Sequence, residues 1–237
     1  MASVLDICNL ALARLGDRAN VSSIDPPEGS AQADHCARFY PLARDIALEH
    51  RPWTFNTVRT TENALLASPQ PGWQYAYAKP NDALNILAVV PPFVTAWWAA
   101  PSAAFKIEID PVTEDELILT DQPEVTIVYQ KRIIDSTKFP PQFVSALAWL
   151  LASYLAGPVV KGDAGRKASI AAYNAYVTEC GDASVTNANQ GVRRSQYIPE
   201  AMRARASGSQ WYQSPDAPVV GPYGFYAFPD GLGPISG

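Results

Sequence analysis

The spacing of apolar residues changes twice along this chain, near residue 53 and again near residue 140. Before the first point and after the second, apolar residues recur at intervals of three and four, the period of a helix packed on one face. Between the two points they alternate with polar residues, as in a strand. We therefore expect an α+β fold, with helices at 3–15, 30–50, 140–156 and 165–182.

Capping residues and prolines mark the ends of these helices. Ser3, with Asp6 three residues later, forms a capping-box pattern, and Ser30 stands where the second helix begins. A proline pair at 140–141 begins the third helix, and a Gly-Pro pair at 157–158 is expected to end it. Because the third helix is apolar on nearly all sides, we expect it at the centre of a helical bundle.

The helices come from both ends of the sequence. We expect residues 1–52 and 138–184 to form one bundle, with residues 53–137 inserted as an antiparallel β domain. Short connections favour antiparallel pairing of six strand-like runs: "WTFNTVRT", "WQYAYA", "LNILAVV", "FKIEID", "ELILT" and "VTIVYQKRI". Four residues of the last helix are predicted to face inward: Ile170, Tyr173, Tyr176 and Val177.

Aromatic residues alternate in "WQYAYA", so Trp73, Tyr75 and Tyr77 would share one face of a strand. We expect them to join the sheet to the bundle near Trp53 and Phe55. The alternative is an exposed aromatic platform that binds carbohydrate, which requires these rings to be accessible.

Two segments are candidates for contact with partners. Residues 91–105 are apolar without clear periodicity, and Trp97 and Trp98 in this segment are either core residues or an exposed interaction patch. Residues 185–237 are rich in Gly, Pro and Ser, a composition typical of chains without a core of their own. They are predicted either to be disordered or to form an extended arm on neighbouring protein. The candidate contact residues of the arm are its arginines and aromatics: Arg193, Arg194, Arg203, Arg205, Trp211, Tyr212, Tyr223, Phe225, Tyr226 and Phe228.

Composition narrows the classes of function. Charged residues make up only 17% of the 237 residues and the net charge is −5, which argues against a nucleic-acid-binding protein. No apolar run is predicted to be long enough for a membrane span, and no signal sequence is evident, so a cytoplasm-like compartment is expected. The three cysteines lack metal-ligand spacing and are expected to act as small hydrophobic residues, as in Cys8 and Cys36.

Motifs for catalysis are few. The two histidines, His35 and His50, are too far apart along one helix to share a metal. Three neighbouring acids, Glu114, Asp115 and Glu116, offer the carboxylates that glycosidases use, but a solvated turn is the simpler interpretation. We predict no catalytic residue, no cofactor and no metal site.

Four stretches together resemble the tail tubular protein A family, the head-to-tail adaptors of short-tailed bacteriophages. They are "LDICNLALARLGD" (5–17), "AQADHCARFYPLARDIALEHRPWTF" (31–55), "GWQYAYAKPNDAL" (72–84) and "FPPQFVSALAWLLASYLA" (139–156). Their order and spacing carry the resemblance, which covers residues 3–182. The chain after about residue 185 matches no pattern of the family.

The resemblance implies a structural protein of the virion. Members of the family form a twelve-subunit ring that caps the portal, receives the tail nozzle proteins and passes genomic DNA at infection. The expected partners are therefore further copies of the chain, a portal protein and a nozzle protein, with DNA crossing the lumen without specific binding and with no membrane anchor. The protein is expected at the head–tail junction, after synthesis in the host cytoplasm. The competing hypothesis is a tail-associated glycan hydrolase or carbohydrate-binding module.

Overall fold

The computed structural model describes residues 2–18, 20–61, 72–92, 102–111 and 113–190. Within this part of the chain the fold is mixed α+β, which confirms the predicted class. The helices are α1 (Val4–Arg14), α2 (Ala31–Glu49), α3 (Pro141–Val160) and α4 (Gly162–Ala188). A 3₁₀ turn at Ser136–Lys138 leads into α3.

All six strand-like runs form strands, but in two sheets and not in one. The strands are β1 (Thr57–Thr60), β2 (Tyr75–Ala78), β3 (Ala83–Val90), β4 (Phe105–Ile109), β5 (Glu116–Thr120) and β6 (Thr126–Lys131). Sheet 1 has the order β1-β6-β3 and sheet 2 the order β2-β5-β4, with every pairing antiparallel. Two sheets with apolar faces bury those faces against each other, which a single open sheet of these strands cannot do.

The starts of α1, α2 and α3 follow the sequence signals, whereas the start of α4 and the ends of α3 and α4 do not. Ser3 accepts a hydrogen bond from the Asp6 amide at 3.1 Å, and its own amide donates to the Asp6 carboxylate at 2.8 Å. The expected stop at 157–158 is wrong, since α3 continues to Val160. The reversal into α4 occurs instead at Lys161 and Gly162, whose φ angles are 61° and 62°.

Helix α4 is also longer than predicted. It begins three residues before the expected start and continues to Ala188, so its last turn includes residues assigned from sequence to the arm. Asn187 in that turn accepts hydrogen bonds from the amide and the hydroxyl of Thr54, at 2.9 and 2.7 Å. These bonds hold the end of α4 against the segment that follows α2, and they provide a tertiary reason for the extra turn.

Helix α3 is at the centre of the helical core, where α1, α2 and α4 each pack against it. Near its start the Phe143 ring lies 5.3 Å from Trp53, 5.0 Å from Phe55 and 5.0 Å from Phe139, in edge-to-face arrangements. By length and composition α3 is also apolar enough to cross a membrane, so the expectation that no such run exists is wrong. A buried core helix meets the same criterion, and 56% of its most apolar window is buried in the protein.

Hydrogen bonds to a carbonyl at the C-terminal end of α2 connect the helices to sheet 1. Pro52 has no amide hydrogen, so it cannot donate to the carbonyl of Leu48 four residues earlier in α2. Two buried side-chain amides donate to that carbonyl instead: Asn56 at 3.2 Å and Gln130 of β6 at 2.9 Å. Gln130 donates to the Arg51 carbonyl as well. We call this set of hydrogen bonds the amide joint.

The opposite face of β6 packs against sheet 2. Ile127 and Tyr129, which alternate with Gln130, share a buried cluster with Tyr77 of β2 and Ile118 of β5. Sheet 1 therefore contacts the helices through one face and sheet 2 through the other.

The aromatic run before and in β2 does not join the sheet to the helices, contrary to expectation. Tyr75 and Tyr77 pack in the cluster between the two sheets, and the Tyr77 hydroxyl donates to the carbonyls of Gln122 and Pro123. Trp73 lies before the strand and packs with a different cluster that includes Leu119. Because Tyr77 is buried and the three rings are divided between two clusters, they do not form a carbohydrate-binding platform.

Alanine substitutions at two glycines of α4 should change the free energy of unfolding in opposite directions. A Cβ at Gly165 would stand 2.8 Å from the Ala156 carbonyl oxygen of α3, whereas nothing lies within 4 Å of a Cβ at Gly181. We expect Gly165→Ala to lower the free energy of unfolding by about 1–3 kcal/mol through overpacking. Gly181→Ala should raise it by roughly 0.5–1 kcal/mol through helix propensity. Urea midpoints measure both, and a stabilised Gly165→Ala variant would contradict this packing of α3 on α4.

The amide joint predicts a pH-dependent defect in Gln130→Glu. An ionised carboxylate cannot donate to the Leu48 and Arg51 carbonyls, so at pH 7 we expect a loss of about 3–5 kcal/mol. Burial places the folded-state pKa of this glutamate above its unfolded value of about 4.3, so folding takes up a proton. The loss should therefore shrink as pH falls through the folded-state pKa, because the protonated acid donates again.

Gln142→Glu is the matched control, since it makes the same chemical change at an exposed position in the first turn of α3. We expect it to be neutral or slightly stabilising at pH 7. Denaturant titrations at several pH values compare the two variants with the parent chain. If Gln130→Glu lowers the free energy of unfolding equally at all pH values, hydrogen-bond donation by the residue 130 side chain does not stabilise the fold.

Candidate interaction surface

One face of α4 exposes large apolar side chains. Ile170, Tyr173 and Val177 are 58%, 49% and 47% exposed, so their predicted inward orientation is wrong. Only Tyr176 of the four residues assigned inward is buried. At spacings of three and four, the three exposed side chains lie on one side of the helix and form a continuous strip about 10 Å long. We call these three residues the α4 strip.

A second series of residues on α4 makes the contact with α3. It consists of the buried residues Gly165, Ala172, Tyr176, Cys180 and Ala183. Ser169 beside this series donates to the Ser153 carbonyl of α3 at 2.7 Å. Small residues allow the two helix backbones to approach closely, so this series forms the contact and the bulkier α4 strip faces outward.

Charged residues adjoin the α4 strip at its N-terminal end. Arg166 and Lys167 both pair with Asp163, at 3.0 and 3.2 Å, and all three side chains are well exposed. Three charges on one turn leave a net positive charge of one beside Ile170. The surface is therefore apolar along the helix and basic at one end.

The acidic turn between β4 and β5 borders a cleft of about 770 Å³. The carboxylates that line the cleft all lie on the β4–β5 side: Asp110, Glu114, Asp115 and Glu116. The facing side, around residues 78–83, contributes Lys79, whose ammonium pairs with Glu116 at 2.6 Å. Glycosidases need two carboxylates on opposite sides of the scissile bond. The lining residues of this cleft do not provide such a pair.

A second, mostly apolar groove of about 560 Å³ lies between α1, α2 and the loop at residues 22–25. Tyr40 lines it, and burial raises the pKa of its phenol to about 12 although the nearby Arg44 opposes the shift. Arg44 is paired with Asp45 at 2.8 Å. The Tyr40 phenol is neutral and the Arg44 guanidinium is paired, so neither side chain is an activated nucleophile or base.

Within the described ranges, no group of three or more His, Cys, Asp or Glu side chains is placed to hold a metal ion. His35 stacks on Phe39 with ring centres 6.3 Å apart, and His50 meets the edge of Tyr176 at 5.6 Å. Both histidines therefore make packing contacts with neighbouring rings.

The three cysteines are free and buried, as expected for Cys8 and Cys36. The Cys8 thiol donates a hydrogen bond to the Cys36 sulfur; this bond, with burial as the second cause, raises the pKa of Cys8. Burial also raises the pKa of Cys180. The raised pKa values suppress thiolate formation at Cys8 and Cys180, and burial restricts access to all three thiols.

The predicted contact residues Trp97 and Trp98 and the predicted arm residues from Arg193 to Phe228 lie outside the described residues. They stay predictions. Sequence reasoning also missed the α4 strip, although a signal was present. Helix α4 carries two apolar series. The buried series, Ala172, Tyr176, Cys180 and Ala183, has the same helical spacing as the exposed α4 strip.

Comparisons with known proteins do not assign the chain to a family. No protein-family model matches it, and no curated protein sequence matches it. Its function has to be inferred from its own residues and surfaces.

Proposed function

We propose that this protein is a structural component of a virion, the head-to-tail adaptor that joins a portal to a tail nozzle and forms part of the DNA ejection channel. The observation that carries the proposal is the α4 strip. Three large apolar side chains on one helix face, each close to half exposed, are typical of a surface that another protein covers. Among such assemblies, the four-part sequence resemblance is the reason for proposing a head-to-tail adaptor.

The proposed subunit has three parts. A helical bundle from both ends of the sequence, residues 1–52 and 138–184, carries an inserted antiparallel β domain, residues 53–137, and an extended arm follows. The hydrophobic cluster that α1, α2, α3 and α4 share supports the first part. The length of α4 moves the start of the proposed arm from residue 185 to beyond Ala188.

A closed ring of identical subunits needs heterologous contacts, in which two different surfaces of the chain meet. The ring has twelve copies by the resemblance, and it meets the portal on one side and the nozzle on the other. In this proposal Trp97, Trp98 and the arm contribute further contacts to neighbouring subunits or to the portal. The arm aromatics offset the entropy of ordering a chain that is rich in Gly and Pro.

Genomic DNA crosses the lumen of the proposed ring without specific binding. Each chain carries a net charge of −5, so the ring as a whole is strongly acidic. Phosphates then pass without the counterion release that makes basic channels bind DNA. The ring has no catalytic activity, no cofactor and no membrane anchor in this proposal, and it resides at the head–tail junction of the virion.

The proposal predicts that the chain binds filled heads at the portal. Tagged chain is added to portal-bearing heads that lack an adaptor, and the decorated vertex is imaged by electron microscopy. We expect a single ring at one vertex and improved retention of DNA. Mass photometry of the chain alone reports whether rings also close without the portal.

Heads that lack the portal serve as the control and should stay undecorated. Deletion of residues 206–237 tests the arm, and the proposal expects weaker attachment. Binding distributed over the whole capsid, or glycan cleavage by the purified chain, would contradict the proposal. Micromolar binding of duplex DNA at about 0.15 M salt would contradict the passive channel.

A further inference from the structure

We propose that the α4 strip of one copy docks against β4 and the following acidic turn of the next copy. This inference rests on the proposed ring and identifies the two surfaces that would make its repeated contact. It uses only described residues and does not involve the arm.

The second surface is a strand edge with two exposed isoleucines. In sheet 2 the order β2-β5-β4 places β4 at one edge of the described strands. Ile107 and Ile109 on this strand are 38% and 64% exposed. An edge strand with exposed apolar side chains is a natural place for another chain to bind.

Charge distinguishes the two surfaces. The turn directly after Ile109 carries three carboxylates, those of Asp110, Glu114 and Asp115, and Glu116 at the start of β5 is paired with Lys79. On β4 itself, Lys106 and Glu108 pair with each other at 2.5 Å and cancel. The strand thus has an apolar pair with an excess of negative charge at its C-terminal end.

The charges on α4 have the complementary arrangement. Arg166 and Lys167 outnumber Asp163 by one and lie about one turn before Ile170. When Ile170 lies near Ile109, the basic turn of α4 falls against the acidic turn of the neighbour. Opposite charges at the rim of an apolar contact fix its register and speed association.

Because the two surfaces differ, the contact is head-to-tail and repeats from copy to copy, as a ring requires. A symmetric contact between two α4 helices would leave Ile107 and Ile109 exposed and would not use the acidic turn. The strip alone is smaller than the roughly 800 Å² per partner of a stable dimer. Ring closure then has to add the stability that one such contact lacks.

Cross-linking of introduced cysteines by a bismaleimide tests whether the α4 strip of one copy contacts β4 of the next. Ile170→Cys and Ile109→Cys chains, each carrying a different tag, are mixed with portal-bearing heads and treated with a short bismaleimide. The native thiols are buried and provide a low background. We expect cross-links between the two variants and none within either variant alone. Cross-links within Ile170→Cys alone would show a symmetric α4 contact and overturn the inference.

Charge reversal provides a second test. Arg166→Glu with Lys167→Glu should raise the chain concentration needed for half-maximal ring decoration of portal-bearing heads at least about tenfold at low salt. Glu114→Lys with Asp115→Lys should restore the parent value when combined with the first pair. These four side chains are exposed, so the fold is expected to persist in every variant. If the combined variant associates as weakly as the Arg166→Glu, Lys167→Glu variant, the inference is overturned.

The two proposals fail in different ways. If rings decorate the portal but Ile170 and Ile109 do not cross-link, the subunit contact is wrong and the adaptor proposal stands. If parent chains do not bind portal-bearing heads, the adaptor proposal is wrong whatever the cross-links show. If the cross-link forms only between chains that assemble without the portal, the contact is correct. The assembly that it builds is then not a portal-bound adaptor ring.

Discussion

Two buried side-chain amides hold the C-terminal end of α2 against sheet 1, and the arrangement of the layers depends on them. Pro52 leaves the Leu48 carbonyl without its helical donor, and Asn56 and Gln130 supply two. An unpaired buried carbonyl is costly, so the pairing is strongly favoured. Shifting β6 by one residue would turn Gln130 away from the helices and would exchange the two faces of the sheet. The amide joint therefore fixes which face of sheet 1 meets the helices and which meets sheet 2.

Packing on α3 determines which surface of the molecule remains available. Helix α4 contacts α3 through its smaller residues, including Gly165, whose missing side chain allows contact with the Ala156 carbonyl. Tyr176 fills the remaining space, and the bulkier Tyr173 and Val177 are left outside. The exposed strip is thus a consequence of close helix packing, and the proposed contact with another chain accounts for its apolar character.

Local signals predicted local structure well, because caps and alternation act over a few residues. The Ser3 capping box and all six strand runs are confirmed. The division into two sheets, the continuation of α3 through Pro158 and the orientation of Tyr173 depend on distant contacts that spacing alone does not specify. In α4 both apolar series have helical spacing, so periodicity could not select the buried one. The predicted contact residues Trp97 and Trp98 lie outside the described residues and stay predictions.

The central claim is that the α4 strip is buried when this protein assembles. Hydroxyl-radical footprinting of Tyr173, read by mass spectrometry, measures its accessibility directly in free chains and in chains bound to portal-bearing heads. Tyr212, in the proposed arm, reports separately on that segment, and buried Tyr77 provides an internal reference that should react slowly in both states. We predict that oxidation of Tyr173 falls severalfold on assembly while Tyr77 is unchanged. Equal oxidation of Tyr173 in free and bound chains would contradict the claim.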